Sequence, residues 1–151
     1  MIVTSSMLHS ACAALIHAVD PGVEVYDNPT PQKVTFPAWW VLHSSNEMEH
    51  EPCGRYWLVF SIELVYIYAK DSNDSRLFDR YYTMADALSA NCDFITLTDG
   101  VETQTIHTYQ HNWRVERDGL HFSLQIRLRA SKPRAKKPVM QTIEDLTVET
   151  K

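Results

Sequence analysis

Two histidines four residues apart, His107 and His111, come closest in type and spacing to a metal site. On a helix, this spacing would place both imidazoles on one face, about one turn apart. The residues around them alternate as in a β-strand, where four residues span roughly 13 Å. One ion cannot bridge that distance, so we expect partly buried or interface histidines and no metal held by this pair.

A second group of possible ligands lies in an acidic segment that contains Glu47, Glu49, His50, Glu51 and Cys53. Carboxylates at alternate positions could hold a hard cation, but the segment lacks the Asp/Asn-Gly pattern of calcium-binding loops. The three cysteines of the chain show no C-x-x-C spacing, which favours reduced thiols over a disulfide framework or a zinc site. We therefore expect a solvated acidic loop, no metal and no cofactor.

Glu63 is a carboxylate within an otherwise apolar stretch, a setting that can raise a carboxyl pKa. No base or nucleophile accompanies it, and no G-x-S-x-G, Walker A or dinucleotide-binding pattern is present. The better interpretations are an outward-facing position or an ion pair across a subunit boundary, to Arg127 or Arg129. We expect a protein without catalytic residues.

The composition favours a single globular domain without a membrane segment. The chain has 151 residues, a net charge of −5 and 44% hydrophobic residues, and a domain of this length can bury a sizeable core. An acidic chain argues against nucleic acid as the main partner of the whole surface. No run approaches the roughly 20 apolar residues of a membrane helix. We expect a soluble protein made in the cytoplasm, with no membrane partner.

Two stretches have the spacing of amphipathic helices, with apolar residues recurring every three or four positions. The first follows a possible cap among residues 4–6 and ends at Asp20-Pro21-Gly22, and the second follows Asp74 or Ser75. The apolar positions are Leu8, Ala11, Cys12, Leu15 and Val19 in the first helix, and Leu77, Tyr81, Met84, Ala85 and Leu88 in the second.

Strands are predicted at residues 23–26, 36–42, 55–69 and 94–97, with a polar loop at 44–52. The stretch 55–69 is apolar on one alternating face and mostly apolar on the other, which is typical of a central strand. A hairpin of strands 101–116 and 120–130, joined at Asp118-Gly119, is the strongest local signal. Its first strand should carry His107, Tyr109, His111, Trp113 and Val115 on one face, and its second should alternate Leu120, Phe122, Leu124, Ile126, Leu128 and Ala130 with His121, Ser123, Gln125, Arg127 and Arg129.

These elements predict an α+β fold for residues 1–131, with a mainly antiparallel sheet and two helices packed on one face. We expect residues 132–151 to form an extended C-terminal arm, basic and then of mixed charge, because this segment is too short and polar for a core of its own. The arm is either a flexible terminus or a segment that orders on a partner. Its basic residues could contact nucleic acid or acidic patches of the same assembly.

Several stretches, read in order, carry a family resemblance. After the N-terminal helix come "VEVYDN", "FPAWWVL", "GRYWLVFSIELVYIY", "FDRYYTMADAL", "HNWRVERDGLHFSLQIRLR" and "KPVMQTIEDLTVE". This order resembles the tail terminator (tail completion) proteins of tailed bacteriophages and prophages, especially those of Gram-positive hosts, from about Leu8 to Leu146. The hairpin and the closing Met-Gln-Thr-Ile-Glu are the most specific pieces, whereas the proline-rich residues 28–37 and the double Trp depart from the pattern.

The resemblance implies a non-enzymatic virion protein that forms a homo-hexameric ring at the head-proximal end of the tail tube. Such a ring ends tube polymerisation and joins the tail to the neck. The implied partners are the tail tube protein, a neck or head-completion protein, the sheath protein in contractile tails, and DNA that passes through the lumen without sequence specificity. Another neck or tail ring protein, such as a head–tail connector or tube protein, and a small cytosolic binding module are the alternatives.

The candidate interface or lumen residues are aromatic and charged side chains of the strands and the arm. The polar face of the last strand is either a lumen lining or an ordinary solvated sheet face, and the tryptophans are either core or interface anchors. The candidates are Trp39, Trp40, Glu63, Gln125, Arg127, Arg129, Lys132, Arg134, Lys136 and Lys137.

Overall fold

A computed structural model describes residues 3–26, 33–68 and 75–131 of the chain. Its elements confirm the α+β class and the mainly antiparallel sheet. The predicted C-terminal arm lies outside the described residues. The helices are α1 (Ser5–Val19) and α2 (Ser75–Asn91), and the strands are β1 (Glu24–Tyr26), β2 (Ala38–His50), β3 (Arg55–Ile67), β4 (Phe94–Thr98), β5 (Thr103–Val115) and β6 (Leu120–Ser131), with a 3-10 turn at Pro52–Gly54 between β2 and β3.

The six strands form a sheet in the order β1-β2-β3-β6-β5-β4. Only the pair of β1 with β2 is parallel, and the other four pairs are antiparallel. Strand β3 pairs along its length with β2 on one side and with β6 on the other. The prediction of a central strand is therefore confirmed over Arg55–Ile67, whereas residue 69 of the predicted range lies outside the described residues.

Both helices pack on the same face of the sheet, as predicted. The side chain of Thr4 accepts a hydrogen bond from the backbone N–H of Met7 and so caps α1. Of the predicted stripes, Tyr81, Ala85 and Leu88 of α2 and four residues of α1 are buried in one core cluster shared with the strands, the four being Leu8, Ala11, Cys12 and Leu15. Val19 and Met84 are partly buried against this cluster, and the side chain of Leu77 lies outside the described part of the chain. Neither helix in the described part of the chain is long and apolar enough to span a bilayer.

The two adjacent tryptophans point to opposite faces of β2. Trp39 is fully buried in the main core, where its ring lies 4.6 Å from that of Tyr66 and its Nε1–H donates to Asp20 at 3.1 Å. Trp40 belongs to a smaller cluster on the other face and packs beneath Tyr26 and Phe36. The structure therefore places both tryptophans in apolar clusters of the single chain.

The predicted polar loop at residues 44–52 is wrong, because β2 continues to His50. Glu47 pairs with Val59 and Glu49 pairs with Trp57, beyond a bulge between His43 and Ser45. Every residue of β2 from His43 onward is exposed, so no apolar alternation marks this half as strand. Main-chain pairing with β3 extends β2 through residues whose side chains show no alternation of apolar and polar types.

The predicted face of the first hairpin strand is also wrong. A bulge interrupts β5 between Tyr109 and Asn112, and Gln110 adopts a positive φ of 51°. The extra residue reverses the alternation. Trp113 lies opposite the buried Phe122, on the helix side of the sheet, whereas Tyr109 lies on the other face opposite Gln125. The apolar face of the return strand is confirmed by the burial of Leu120, Phe122, Leu124 and Ile126.

Candidate functional site: the open face and tip of the sheet

The face of the sheet opposite the helices, here called the open face, carries the three charged candidate residues that the structure describes, Glu63, Arg127 and Arg129. Each strand places alternate side chains there. Besides the apolar cluster of Trp40, the described residues form two charged clusters on it, one around Trp57 and one around His121. A third feature, an apolar row, lies on the helix side at the exposed end of the long strands.

The Trp57 cluster joins the ends of β2, β3 and β6. The indole Nε1–H of Trp57 donates to Glu51 at 2.7 Å, and the guanidinium of Arg129 donates to the other oxygen of Glu51 at 2.8 Å. Arg127 donates to Glu49 at 3.0 Å. The guanidinium carbons of Arg127 and Arg129 lie 5.5 and 5.8 Å from the Trp57 ring centre, within cation–π range.

The two arginines predicted as interface or lumen residues therefore have acidic partners in the same chain. The hydrogen bond from Arg129, followed by that from Trp57, lowers the pKa of Glu51 below its usual value. Arg127 and Arg129 remain 42% and 51% exposed as side chains. This part of the open face thus offers solvent-accessible guanidinium groups with little net positive charge.

Within the single chain, Glu63 faces the open face, and its partners there are Arg114 and His121. The predicted ion pair to Arg127 or Arg129 across a subunit boundary stays a prediction. The Glu63 carboxylate receives a hydrogen bond from Arg114 at 3.1 Å and lies 2.8 Å from Nδ1 of His121. In the register of β3 with β6, Arg127 lies opposite Val59. Four residues of strand, roughly 13 Å, separate that position from Glu63. The sequence does not specify this register, so it could not identify His121 as the partner.

His121 lies between two carboxylates. Its Nδ1 is 2.8 Å from Glu63 and its Nε2 is 2.9 Å from Asp118. Ionised carboxylates only accept hydrogen bonds, so this arrangement favours the imidazolium, the form that donates from both ring nitrogens. Burial favours the neutral ring, but the hydrogen bonds and charges of Asp118 and Glu63 outweigh it and raise the pKa of His121. In its protonated form, the ring links the hairpin turn to β3 through a hydrogen bond from each nitrogen.

The remaining described candidate, Gln125, is half-buried near the middle of the open face. Its Nε2–H donates to the hydroxyl of Ser61 at 3.4 Å. Both residues line a polar hollow of about 460 Å³ that also borders Gln110, His111 and Asn112. The four basic candidates of the arm, Lys132, Arg134, Lys136 and Lys137, lie outside the described residues.

An apolar row crosses three strands at the edge of the core, where Leu58 and Leu128 pack against the core cluster and Met48 extends the row into solvent. We call residues 45–50, 55–58 and 127–129 the sheet tip. Met48 pairs with Leu58, which pairs with Leu128, so their side chains lie side by side on the helix side of the sheet. Met48 is 45% exposed, and Leu58 and Leu128 are half-buried. This row could not be predicted from the sequence, because its three residues lie in separate segments of the chain.

Two groups of exposed aromatic side chains lie outside the sheet tip. Tyr82 of α2 packs edge-on against Trp113 of β5 at 5.8 Å, and both side chains are exposed. On the open face, His107 lies 4.9 Å from Phe94 and 4.9 Å from Tyr109. Large exposed aromatic side chains are enriched at protein interfaces. The prediction that His107 is an interface residue thus stays open.

No protein-family model matches the chain, and no curated protein compared with it gives a match.

Proposed function

We propose that this protein is a structural virion protein of the tail terminator type. In this proposal, six copies form a ring at the head-proximal end of a phage tail tube, end tube polymerisation and join the tail to the neck. The order of sequence motifs suggests the family, and an α+β domain with helices on one side of a sheet is the fold expected of it. The observation that carries the proposal is the sheet tip.

The sheet tip has the properties of a surface that a neighbouring subunit covers. Its strands are fully hydrogen-bonded to one another, yet β2 is exposed from His43 to His50. The row of Met48, Leu58 and Leu128 gives it an apolar strip. Burial of apolar surface contributes roughly 25 cal/mol per Å², so a second copy docked on this strip would gain stability. A contact between the tip and a different surface of the next subunit is heterologous, and such contacts form a closed ring when the rotation from one subunit to the next is a simple fraction of a full turn.

The charge pattern of the open face supports a lumen or interface that does not bind DNA tightly. Binding of the phosphate backbone requires unpaired basic side chains and releases counterions. Arg127 and Arg129 are paired with Glu49 and Glu51 instead. A lining of this kind lets DNA pass without tight or sequence-specific binding. The tail tube and neck proteins are the partners that the proposal requires.

Substitution of Met48 by Glu tests the role of the sheet tip. The variant places a charge in the apolar strip at a residue that is already 45% exposed, so the fold should be retained. The matched control is Val101→Glu, because Val101 is 92% exposed and lies in the turn before β5. We expect light scattering and negative-stain microscopy to show hexameric rings for the wild type and the control, and monomers for Met48→Glu. A wild-type protein that stays monomeric at high concentration and in the presence of tail tubes would contradict the proposal.

Binding to tube ends distinguishes a terminator from a tube protein. We expect the wild-type ring to bind one end of uncapped tubes and to stop further growth when tube protein is added. Tubes that already carry a terminator should not bind it. Incorporation along the tube, or growth that continues unchanged, would favour a tube protein over a terminator.

A further inference from the structure

A thiol, a carboxylate and an imidazole meet at the junction of α2, β4 and β5. They belong to Cys92, Asp93 and His111, and one ligand atom from each lies within 4.8 Å of the other two. We propose that these three side chains form a transition-metal site that takes Zn²⁺. The inference is independent of the proposed ring, because none of the three residues lies in the sheet tip.

The first two ligands are held in place by Thr108 of β5. Cys92 and Asp93 form the link between the end of α2 at Asn91 and the start of β4 at Phe94. The backbone N–H of Thr108 donates to the carbonyl of Asp93 at 2.9 Å, and its buried hydroxyl donates to the carbonyl of Cys92. The link is thereby tied to β5, and Cys92 is fully buried beside the strand.

The third ligand reaches the site because of the bulge in β5. In an unbroken strand, His111 would share the open face with His107 and Tyr109. The extra residue at Gln110 turns the His111 ring toward the helix side instead, where it stacks on the buried Phe122 at 6.4 Å. Its Nε2 lies 2.6 Å from the hydroxyl of Thr108. Because that hydroxyl already donates to the carbonyl of Cys92, the ring donates through Nε2 and keeps the lone pair of Nδ1 for a metal. Bulges often redirect a side chain in this way next to functional sites.

The donor set determines which metal fits. Thiolate, imidazole and carboxylate together suit Zn²⁺, whereas Ca²⁺ and Mg²⁺ prefer oxygen ligands alone. In a tetrahedral zinc site the ligand atoms lie about 3.3–3.8 Å apart, so the three donors, which lie within 4.8 Å of one another, need to approach by no more than roughly 1.5 Å on binding. Asp93 and His111 are exposed and can supply this movement. Binding releases the thiol proton of Cys92 as the S–Zn bond forms, and a water completes the fourth position.

A second acidic group near the hairpin turn is not such a site. Glu116, Asp118 and His121 also place ligand atoms within 4.8 Å of one another. Both nitrogens of His121 already donate to carboxylates, so no lone pair is available for a metal. Of these two groups, we therefore propose a metal site only at Cys92, Asp93 and His111.

Titration of the full-length, metal-free protein with Co²⁺ tests the site. We expect one equivalent to bind and to give the absorption of tetrahedral cobalt with a thiolate-to-cobalt charge-transfer band, both abolished by one equivalent of Zn²⁺. The variants Asp93→Asn and His111→Gln alter exposed side chains and should weaken binding at least tenfold. Cys92→Ser should remove the charge-transfer band, with circular dichroism reporting whether the variant is folded.

Two matched controls should bind Co²⁺ as the wild type does. Cys53→Ser removes an exposed thiol outside the site, and His107→Gln removes a histidine of the same strand on the opposite face. Absence of a tetrahedral cobalt spectrum from the wild type would overturn the proposal. So would full binding by both Asp93→Asn and His111→Gln, or loss of the charge-transfer band in Cys53→Ser.

Discussion

His121 of β6 and Glu63 of β3 form a largely buried ion pair, with 2.8 Å between Nδ1 of the ring and the carboxylate. Val65 lies opposite His121 in the register, so the contact with Glu63 is diagonal across the two strands. Asp118 at the hairpin turn holds the other ring nitrogen at 2.9 Å. The pair thus fastens the hairpin turn to the central strand of the sheet through one protonated side chain.

The ion pair makes folding stability depend on pH in a defined direction. The pKa of His121 is raised above its usual value of 6.5, so its contribution is complete below 6.5 and is lost as the pH rises through the higher folded-state value. We expect the free energy of unfolding of His121→Gln to be about 1 kcal/mol lower than that of the wild type between about pH 5 and 6.5, where the carboxylates are still ionised. This difference in stability, here called the gap, should shrink at alkaline pH.

Thermal unfolding at several pH values measures this gap. His43→Gln is the control, because His43 is exposed on β2 and should leave the unfolding temperature unchanged throughout. A His121→Gln gap that grows with rising pH would show that the ring is neutral in the folded protein.

The hydroxyl of Thr108 should contribute far more to stability than the hydroxyl of Thr105, which lies on the same strand. Thr108 is fully buried and donates to the carbonyl of Cys92, so Thr108→Val leaves that carbonyl without its donor and should cost about 1–3 kcal/mol. Thr105→Val makes the same chemical change at an exposed position and should cost less than about 0.5 kcal/mol. Urea unfolding of both variants measures the difference. Equal costs would mean that the buried hydrogen bond contributes little.

The sequence predicted the parts of the fold that depend on local patterns. The stripes of α1 and α2 and the Asp-Gly hairpin each specify their structure within about 20 residues, and all three are confirmed. The polar half of β2 escaped prediction because it has no buried face to produce alternation. The bulge at Gln110 was missed because Gln is not a residue typical of positive φ.

The candidate site was predicted less completely than the fold, for a physical reason. Arg127 and Arg129 were recognised on the polar face of β6, but their partners Glu49 and Glu51 lie 78 residues away in sequence. Such pairs follow from strand register, which depends on how all the strands pack. The cluster of Cys92, Asp93 and His111 likewise depends on a bulge and on a helix end, which residue spacing does not reveal.

Gly119 at the hairpin turn is required by a close approach to β3. A Cβ at this position would collide with the backbone oxygen of Tyr66, which cannot move without disturbing the sheet. We expect Gly119→Ala to cost about 3 kcal/mol or more in unfolding free energy. Gly100→Ala is the control, since a Cβ there meets no atom within 4 Å and only its φ of +92° opposes the change, at about 1–2 kcal/mol. Comparable losses in the two variants would show that the contact with Tyr66 relaxes easily.

Two tryptophans that donate to carboxylates should differ in their contribution to stability. Trp39 is fully buried and donates to Asp20, so Trp39→Phe leaves a cavity and should cost about 2–4 kcal/mol. Trp57 donates to Glu51 in the exposed cluster at the sheet tip, and Trp57→Phe should cost less than about 1 kcal/mol. Urea unfolding, followed by circular dichroism so that the lost indole does not alter the signal, measures both. A large loss of unfolding free energy in Trp57→Phe would show that the Trp57 cluster stabilises the single chain, and would argue against a role of the cluster that is limited to contact with a neighbouring subunit.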